Sequence, residues 1–457
     1  MNPASLLDTT SDSAPFAPQT GWLPRVIEKL RSPAFRHSAL SVADQAVVSG
    51  ASFAGSVLVG RFCSPDELGV YALAFSVLLL ARAIQGDVVS GPYLIYCHRR
   101  QSAALARYTG SSLIHQAVMS VLSLLAIGGL VVGIAHSGGS PGLISALVSL
   151  MVAVPFVLLR EHLRQMSFAH LRLTEVLWLD VFVAAIQLGV IGWLASKGLL
   201  SVPAVYVAMA VGCGLAALAW WITRPDAVSF GAVDAWADWC SNWQFGRWAL
   251  ASQLVSRAMS YLAPWLIAWT HGEAATGLLA ACVTVVNLAG MFVTGVSNCL
   301  TPRAARAYAD GGATALRSVL HESVILFLVT IGGFCLAVGL SGDLLITLVY
   351  GDRFAGTSFV LLFLALQMLA NSLGIVMGNG LWAVDRPRAN FLADVATMTT
   401  TAAAMAVAVP TWGVTGAAFG LLMGTAVGAI TRTWILLGVM RQRALATDDQ
   451  LQGETSS

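Results

Sequence analysis

Ionisable residues fall within stretches that are otherwise apolar, among them Asp44, Arg82, Asp87, Asp180, Arg257 and Asp394. An arginine or aspartate at the centre of a hydrocarbon layer costs at least ~2.5 kcal/mol even on insertion scales. Each such residue therefore needs an opposite charge, water or a charged ligand. Asp44 stands about six residues into its apolar run, near 9 Å deep at ~1.5 Å per helical residue. Around it Ser41, Gln45, Ser49, Ser52 and Ser56 follow at spacings of four, four, three and four. That spacing puts them on one helical face, which should meet protein or water rather than lipid. Gln253, Arg257, Ser260 and Pro264 repeat the pattern, with Arg257 about ten residues into its run and close to the midplane at ~1.5 Å per residue. Arg82 and Asp87 lie about 140° apart on a helix, so they are poor partners for each other.

Arginine in a wet cavity suits an anion, because its planar fork matches phosphate oxygens two at a time. The residues suited to an anionic substrate are Arg257 and Arg82, with Asp44, Gln45, Ser49 and Gln253 beside them. Asp44, Asp87, Asp180 and Asp394 suit an ion-coupling role, as carriers of a proton or sodium ion. The structural alternatives stay open: the aspartates as fixed counter-ions of the arginines, Arg82 in an interhelical ion pair, and the serines as helix–helix contacts. His115 and His321 read as satisfying local hydrogen bonds.

The elements that position these residues are membrane-spanning helices. The 457 residues are 57% hydrophobic and 11% charged, and mean hydropathy is +0.75. Soluble domains carry roughly 25% charged residues, so the class is a polytopic membrane protein. A span needs about 20 mostly apolar residues. About twelve such runs occur, near 38–60, 69–92, 110–135, 143–159, 173–195, 202–222, 247–270, 275–299, 320–341, 357–383, 390–410 and 414–437. Nearly all the cations, including Arg99, Arg100, Arg160, Arg164, Arg303 and Arg432, then fall on one side. Arg61, Lys197 and Arg353 fall on the other. The positive-inside rule places both termini in the cytoplasm. Seven cysteines without a C-x-x-C pair exclude a zinc site or disulfide framework, and nothing implies a cofactor, a metal or a nucleic-acid partner.

The expected organisation is all-α. It comprises a cytoplasmic N-terminal tail over 1–37, a six-helix lobe over 38–223, an interfacial linker over 224–246, a second six-helix lobe over 247–440 and a cytoplasmic tail over 441–457. Trp236, Trp239 and Trp243 share a helical face in the linker, which suits either the headgroup layer or packing on neighbouring helices. The two lobes echo each other. A-D-Q (43–45) aligns with A-S-Q (251–253) at an offset of 208 residues, which also pairs Gly69 with Gly277 and Ala81 with Ala289. L-D-V (179–181) likewise echoes A-D-V (393–395). An even number of spans per copy makes the repeats parallel, a pattern of transporters with a site between the halves.

The run A-D-Q-A-V-V-S-G-A-S-F, followed by a short hairpin with Arg61, Glu67, Gly69 and Tyr71, resembles the start of polysaccharide exporters of the multidrug/oligosaccharidyl-lipid/polysaccharide superfamily. L-L-I-T-L-V-Y-G-D-R-F (344–354) resembles a second hairpin of that family. The resemblance implies a non-enzymatic flippase of the bacterial cytoplasmic membrane, working by alternating access on a polyprenyl-pyrophosphate-linked oligosaccharide. Its partners would be membrane lipid, glycosyltransferases and a polysaccharide polymerase. Asp44, Arg82 and Arg257 occupy places comparable to the family's cavity charges. The alternatives are a cation-coupled multidrug exporter of the same superfamily and a membrane-embedded acyltransferase or glycosyltransferase. The hairpin around Pro65, Asp66 and Glu67 is too small for a transferase site.

Overall fold

A computed structural model describes residues 33–224, 228–230 and 234–455, with side chains over 40–224, 228–230 and 234–442. The expected N-terminal tail lies almost wholly outside the described residues. What is described is helix and turn, with no strand. The helices are α1 (Pro33–Phe62), α2 (Pro65–Gln85), α3 (Gly91–Tyr96), α4 (Ser102–His136), α5 (Pro141–Ala169), α6 (Leu173–Ser196), α7 (Val202–Thr223), α8 (Ala235–Tyr350), α9 (Ser358–Ala383) and α10 (Pro387–Thr455). A π-helical turn, Gly86–Ser90, joins α2 to α3.

Helix α8 leaves helical geometry at Gly272, at Gly311 and Gly312, and at Ser341; α10 does so at Gly413. Gly272 has φ 85° and Gly413 φ 55°, a left-handed conformation that glycine adopts at little cost. The chain folds back at the first break, where Thr276 Oγ1 donates to Pro264 O at 3.3 Å. The pieces are designated α8a (235–271), α8b (273–310), α8c (313–340), α8d (342–350), α10a (387–412) and α10b (414–455). Counting each broken helix once, nine helices among the described residues are long and apolar enough to cross a membrane. Leu125, Trp178, Trp269, Val329, Val407 and Trp434 point outward, fully two-thirds exposed or more, as lipid-facing side chains do.

Helices α1 to α7 pack on one another, and α8 to α10 on one another. Two bundles result. They touch at the end of the molecule that carries the α1–α2 turn, called here the closed end, and again where the first turns of α8 pack on the π-helical turn and α4. At the closed end the four hairpin residues acquire physical roles. Arg61 Nε donates to Val349 O at 2.7 Å and its Nη2 to Leu348 O. Glu67 closes a capping box with Ser64 at the start of α2: Ser64 N donates to Glu67 Oε2 (2.9 Å), and Glu67 N donates to Ser64 Oγ (3.2 Å). Tyr71 stacks on Tyr206, whose hydroxyl donates to Tyr71 O at 2.8 Å.

Gly69 sets the distance between the bundles. A β-carbon on Gly69 would overlap the carbonyl oxygen of Glu273, and one on Gly277 that of Pro65. The two contacts are the same contact seen from either side, related by the 208-residue offset of the sequence repeat. Side chains follow the relation to within one residue. Trp265 Nε1 donates to Ser76 Oγ (2.9 Å), while Ser56 Oγ lies 3.1 Å from Thr284 Oγ1 and 3.2 Å from Tyr350 Oη. Self-complementary contact of this kind is how two-fold-related units meet.

The linker differs from expectation. Residues 235–246 are the first turns of α8a rather than a separate interfacial element. They are fastened to the first bundle by Arg100–Asp238 (2.7 Å), Tyr108 Oη to Asn242 Oδ1 (2.9 Å) and His115 Nε2 with Ala235 O (2.8 Å). Trp236 is 75% exposed, while Trp239 packs on His115 and stacks on Trp243.

Overfilling a tight contact costs about 1–3 kcal/mol. Gly69→Val and Gly277→Val are each expected to part the closed end. The check is a Ser56→Cys/Thr284→Cys pair, which should crosslink readily in the parent chain and poorly in either valine background.

Candidate functional site

Six charged side chains meet inside the first bundle. Helix α5 supplies three of them in the run Arg160-Glu161-His162-Leu163-Arg164. Arg160 and Arg164 are one turn apart, so both reach the face that meets α6 and α1. Arg164 Nη2 donates to Asp44 Oδ2 (2.5 Å) and its Nε to Asp180 Oδ2 (2.6 Å). Arg160 Nη2 holds the other oxygen of Asp180. Glu161 accepts from Arg82 Nη2 at 2.8 Å and lies 3.3 Å from Arg160 and 3.5 Å from Arg164. Gln165 Nε2 adds a further donor to Glu161 at 3.2 Å. Three guanidiniums thus balance three carboxylates. Asp180 and Asp44 are almost completely buried, and only Arg82, 30% exposed, reaches the surface.

A cavity of about 90 Å³ adjoins the cluster, lined by Ser52, Arg82, Arg160, Asp180 and Gln187 among apolar side chains. Asp44 Oδ1 and Arg160 Nε have no protein partner, and a polar hollow of this size has room for water. Next to it His162 is fully buried between the hydroxyls of Ser90 and Ser112, each at 2.9 Å. Gln85 Nε2 extends that chain to Ser90 at 2.8 Å.

Arg257 lies outside this cluster. It is exposed and makes no hydrogen bond or ion pair with the described residues. From Arg247 to Leu262 no residue of α8a is buried. Several of those residues, among them Gln253, Val255 and Ala258, are half-buried, while Arg257 and its neighbours Ser256 and Ser260 are exposed. Arg257 acts electrostatically on Asp87, on the π-helical turn, whose Oδ2 lacks a hydrogen-bond partner among the described residues. π-Turns of this kind frequently mark functional positions.

The remaining candidates separate accordingly. Gln45 is exposed and donates to half-buried Ser49 at 3.0 Å. Gln253 is half-buried, one turn before Arg257. Asp44 points away from them, into the bundle and onto Arg164. Asp394 pairs with Arg432 in the second bundle, both less than 20% exposed. Asp180 and Asp394, the echo in the repeat, therefore both hold arginines, though from non-equivalent helices, α5 and α10b.

Arg160, Arg164 and Arg432 count in the sequence among the cations of the cytoplasmic side, and the fourth expected span ends at 159, with 160–171 open to continuing it as a helix beyond the membrane. The structure shows that continuation, and shows these arginines paired with carboxylates between helices. Helix α5 continues unbroken to Ala169, with Arg160, Glu161 and His162 buried in it. The signal was legible: arginines four apart with a glutamate between them continue a helical face directly beyond an apolar run. Arg432 fell inside an expected span from the start.

No protein-family model matches the sequence, and no curated protein matches it. Solved structures do. An inward-facing multidrug-resistance MATE transporter of the MOP superfamily superposes with TM-score 0.72 at 14% identity, covering 88% of this chain and 96% of that one. An inward-closed form of the lipid II flippase MurJ gives TM-score 0.70 at 13% identity, covering 88% and 87%. An outward-facing MATE transporter gives only 0.60, at 15% identity with 90% and 96% covered. The fold is therefore that of MATE and MOP transporters, in a multi-pass membrane protein.

Removing one member of a buried ion cluster strands its partners, at a cost of about 3–5 kcal/mol. Arg164→Ala is expected to lower the melting temperature of the detergent-solubilised protein sharply, because Asp44 and Asp180 both lose a donor. Arg257→Ala, with no bonded partner to strand, is expected to leave it nearly unchanged. Thermal unfolding of the two variants side by side checks the assignment.

Proposed function

We propose that this chain flips a polyprenyl-pyrophosphate-linked oligosaccharide from the cytoplasmic to the outer leaflet, for assembly of a cell-surface polysaccharide. The observation that carries the reading is Arg257: an exposed cation without a bonded partner among the described residues, on a stretch of helix, Arg247 to Leu262, with no buried residue, which in this reading borders lipid on one side and a gap between the bundles on the other. That is where a lipid-linked diphosphate can bring its head into the gap while its chain stays in the bilayer. Arg257 meets the diphosphate, with Gln253 one turn away and Gln45, Ser49 and the exposed edge of Arg82 opposite. Asp44 supports that face indirectly, by fixing α1 to its bundle.

The gap opens at the end away from the α1–α2 turn, where the cations collect. In this reading that end is cytoplasmic, as are both termini, and the membrane is the bacterial cytoplasmic one. The chain ranges over two lobes, 38–223 and 247–440, with about twelve spans. Transport needs no bond made or broken in the substrate. It needs a polar path for a head that hydrocarbon would exclude, and a closed end that can part. Neutral hydrogen bonds hold much of that end, each worth about 0.5–1.5 kcal/mol net, and no acid–base ion pair bridges it among the described residues. The bundles can rock there without breaking their internal ion clusters. Glycosyltransferases then supply the substrate and a polymerase consumes it.

A cation-coupled drug exporter of the same fold is the second reading, and one observation favours it. Asp87 has a carboxylate oxygen without a partner, whereas Asp44, Asp180 and Asp394 are already bonded to arginines. Asp44 also has one oxygen without a partner, but of the four only Asp87 has no ion pair among the described residues.

Reconstituted vesicles separate the two. With a fluorescent polyprenyl-pyrophosphate sugar, wild type should translocate and Arg257→Ala should be slower by at least about tenfold, the loss of one charge-assisted contact of about 1.4 kcal/mol or more. No translocation by wild type under any imposed ion gradient or potential would overturn the flippase. Gradient-driven efflux of an organic cation that is abolished by Asp87→Asn would establish the exporter.

A further inference from the structure

The second bundle carries a groove that the transport path does not use. It has a volume of about 560 Å³ and lies between the first turns of α8c and the far end of α10b. One face of α8c provides all its polar groups. Thr314, Arg317, Ser318 and His321 are spaced three, one and three apart, which superposes them on a single stripe. The opposite wall is apolar: Met377 of α9 and Leu436, Leu437 and Met440 of α10b. No acidic residue lines it. Glu322, which follows His321 in sequence, is bonded to Arg303 at 2.6 Å. Arg317 is exposed and has no hydrogen-bonding or ionic partner among the described residues.

We infer that this groove holds one phospholipid with an anionic headgroup. Depth decides the occupant. Helix α8c begins at residue 313, just past the break at Gly312, so at ~1.5 Å per residue Arg317 is about 6 Å along it and His321 about 12 Å. The headgroup layer on one side of a bilayer is of order 5–8 Å thick. Arg317 thus stands among headgroups, and Val324, a turn beyond His321, among acyl chains. Trp434, 78% exposed on α10b, marks the same boundary. Two hydroxyls and two cationic or ionisable donors around an apolar trough match a phosphate with a hydrocarbon chain attached. An apolar peptide would leave those donors unpaired, and a free anion would leave the trough wet. This inference rests on the fold and the groove, and stands whether or not the chain flips a glycolipid.

The test is intact-mass measurement of the full chain released from vesicles of phosphatidylglycerol or phosphatidylcholine. Wild type is expected to retain one phosphatidylglycerol. Arg317→Gln should reduce that retention by about tenfold, the equivalent of ~1.4 kcal/mol. Leu437→Trp, which fills the trough without changing charge, should reduce it as well. Arg306→Gln, which removes an exposed cation paired with Asp310 at the same end, should not. Equal retention by Arg317→Gln and wild type would overturn the inference, as would equal retention of phosphatidylcholine. Displacement by inorganic phosphate would show a site for free anions instead. Displacement by an equimolar polyprenyl-pyrophosphate lipid would make the groove part of the substrate path. Either displacement overturns it.

Discussion

Arg164 bonds two carboxylates at once, Asp44 through one nitrogen and Asp180 through another, and stands beside a third, Glu161. Those three acids come from α1, α6 and α5. With Arg82 on α2, one cluster fastens four helices whose packing is otherwise apolar. In hydrocarbon, helices gain little by excluding solvent from each other, because lipid is as apolar as leucine. Charges that must be paired supply directional constraint instead. Each carboxylate has its guanidinium in one arrangement only, and a shift of any of the four helices would strand a charge. The first bundle is therefore the part of the molecule least able to deform.

That rigidity divides the structure into what can move and what cannot. The ion clusters lie within bundles, Asp394 with Arg432 in the second as the six-residue network in the first. The closed end between the bundles relies instead on hydroxyl contacts, carbonyl-directed arginines and two glycines that let backbones touch. Internal links are strong and irregular, whereas the link between bundles is weaker and nearly symmetric. A molecule so built relaxes by moving one bundle against the other. Glycine at 69 and 277 then matters for the closeness it permits: a larger residue at either would hold the two backbones apart.

Much of this was legible in the sequence, and the illegible part has a physical reason. Composition and hydropathy identify the class, and the 208-residue offset foreshadows the two-fold contact, although identity of two glycines could not say that they would touch. The hairpin residues Arg61, Glu67, Gly69 and Tyr71 were visible as a pattern, and their work at the closed end was not. The pairing of Arg160 and Arg164 was not legible, because a rule that counts cations cannot distinguish one in a loop from one neutralised inside. Asp44 is legible as a charge within an apolar run, but its burial and direction are not. A stripe of serines and glutamine places its own face, and the aspartate beside it belongs to the next face round.

The same offset explains why the two halves differ where it matters. Gln45 corresponds to Gln253, Ser49 to Arg257, and Asp44 to Ser252. In the first half the aspartate reaches inward to Arg164 and pins α1 to its bundle. In the second half a serine stands in that place, so no ion pair at this position draws α8a onto the helices behind it, and from Arg247 to Leu262 none of its residues is buried. The charge lost from the buried face reappears with opposite sign on the neighbouring face, as Arg257. One copy of the unit uses its charge for cohesion, while the other leaves a cation exposed beside the gap. A pair of identical halves would have closed on both flanks. This pair keeps one flank loose, and the unpartnered arginine is on it.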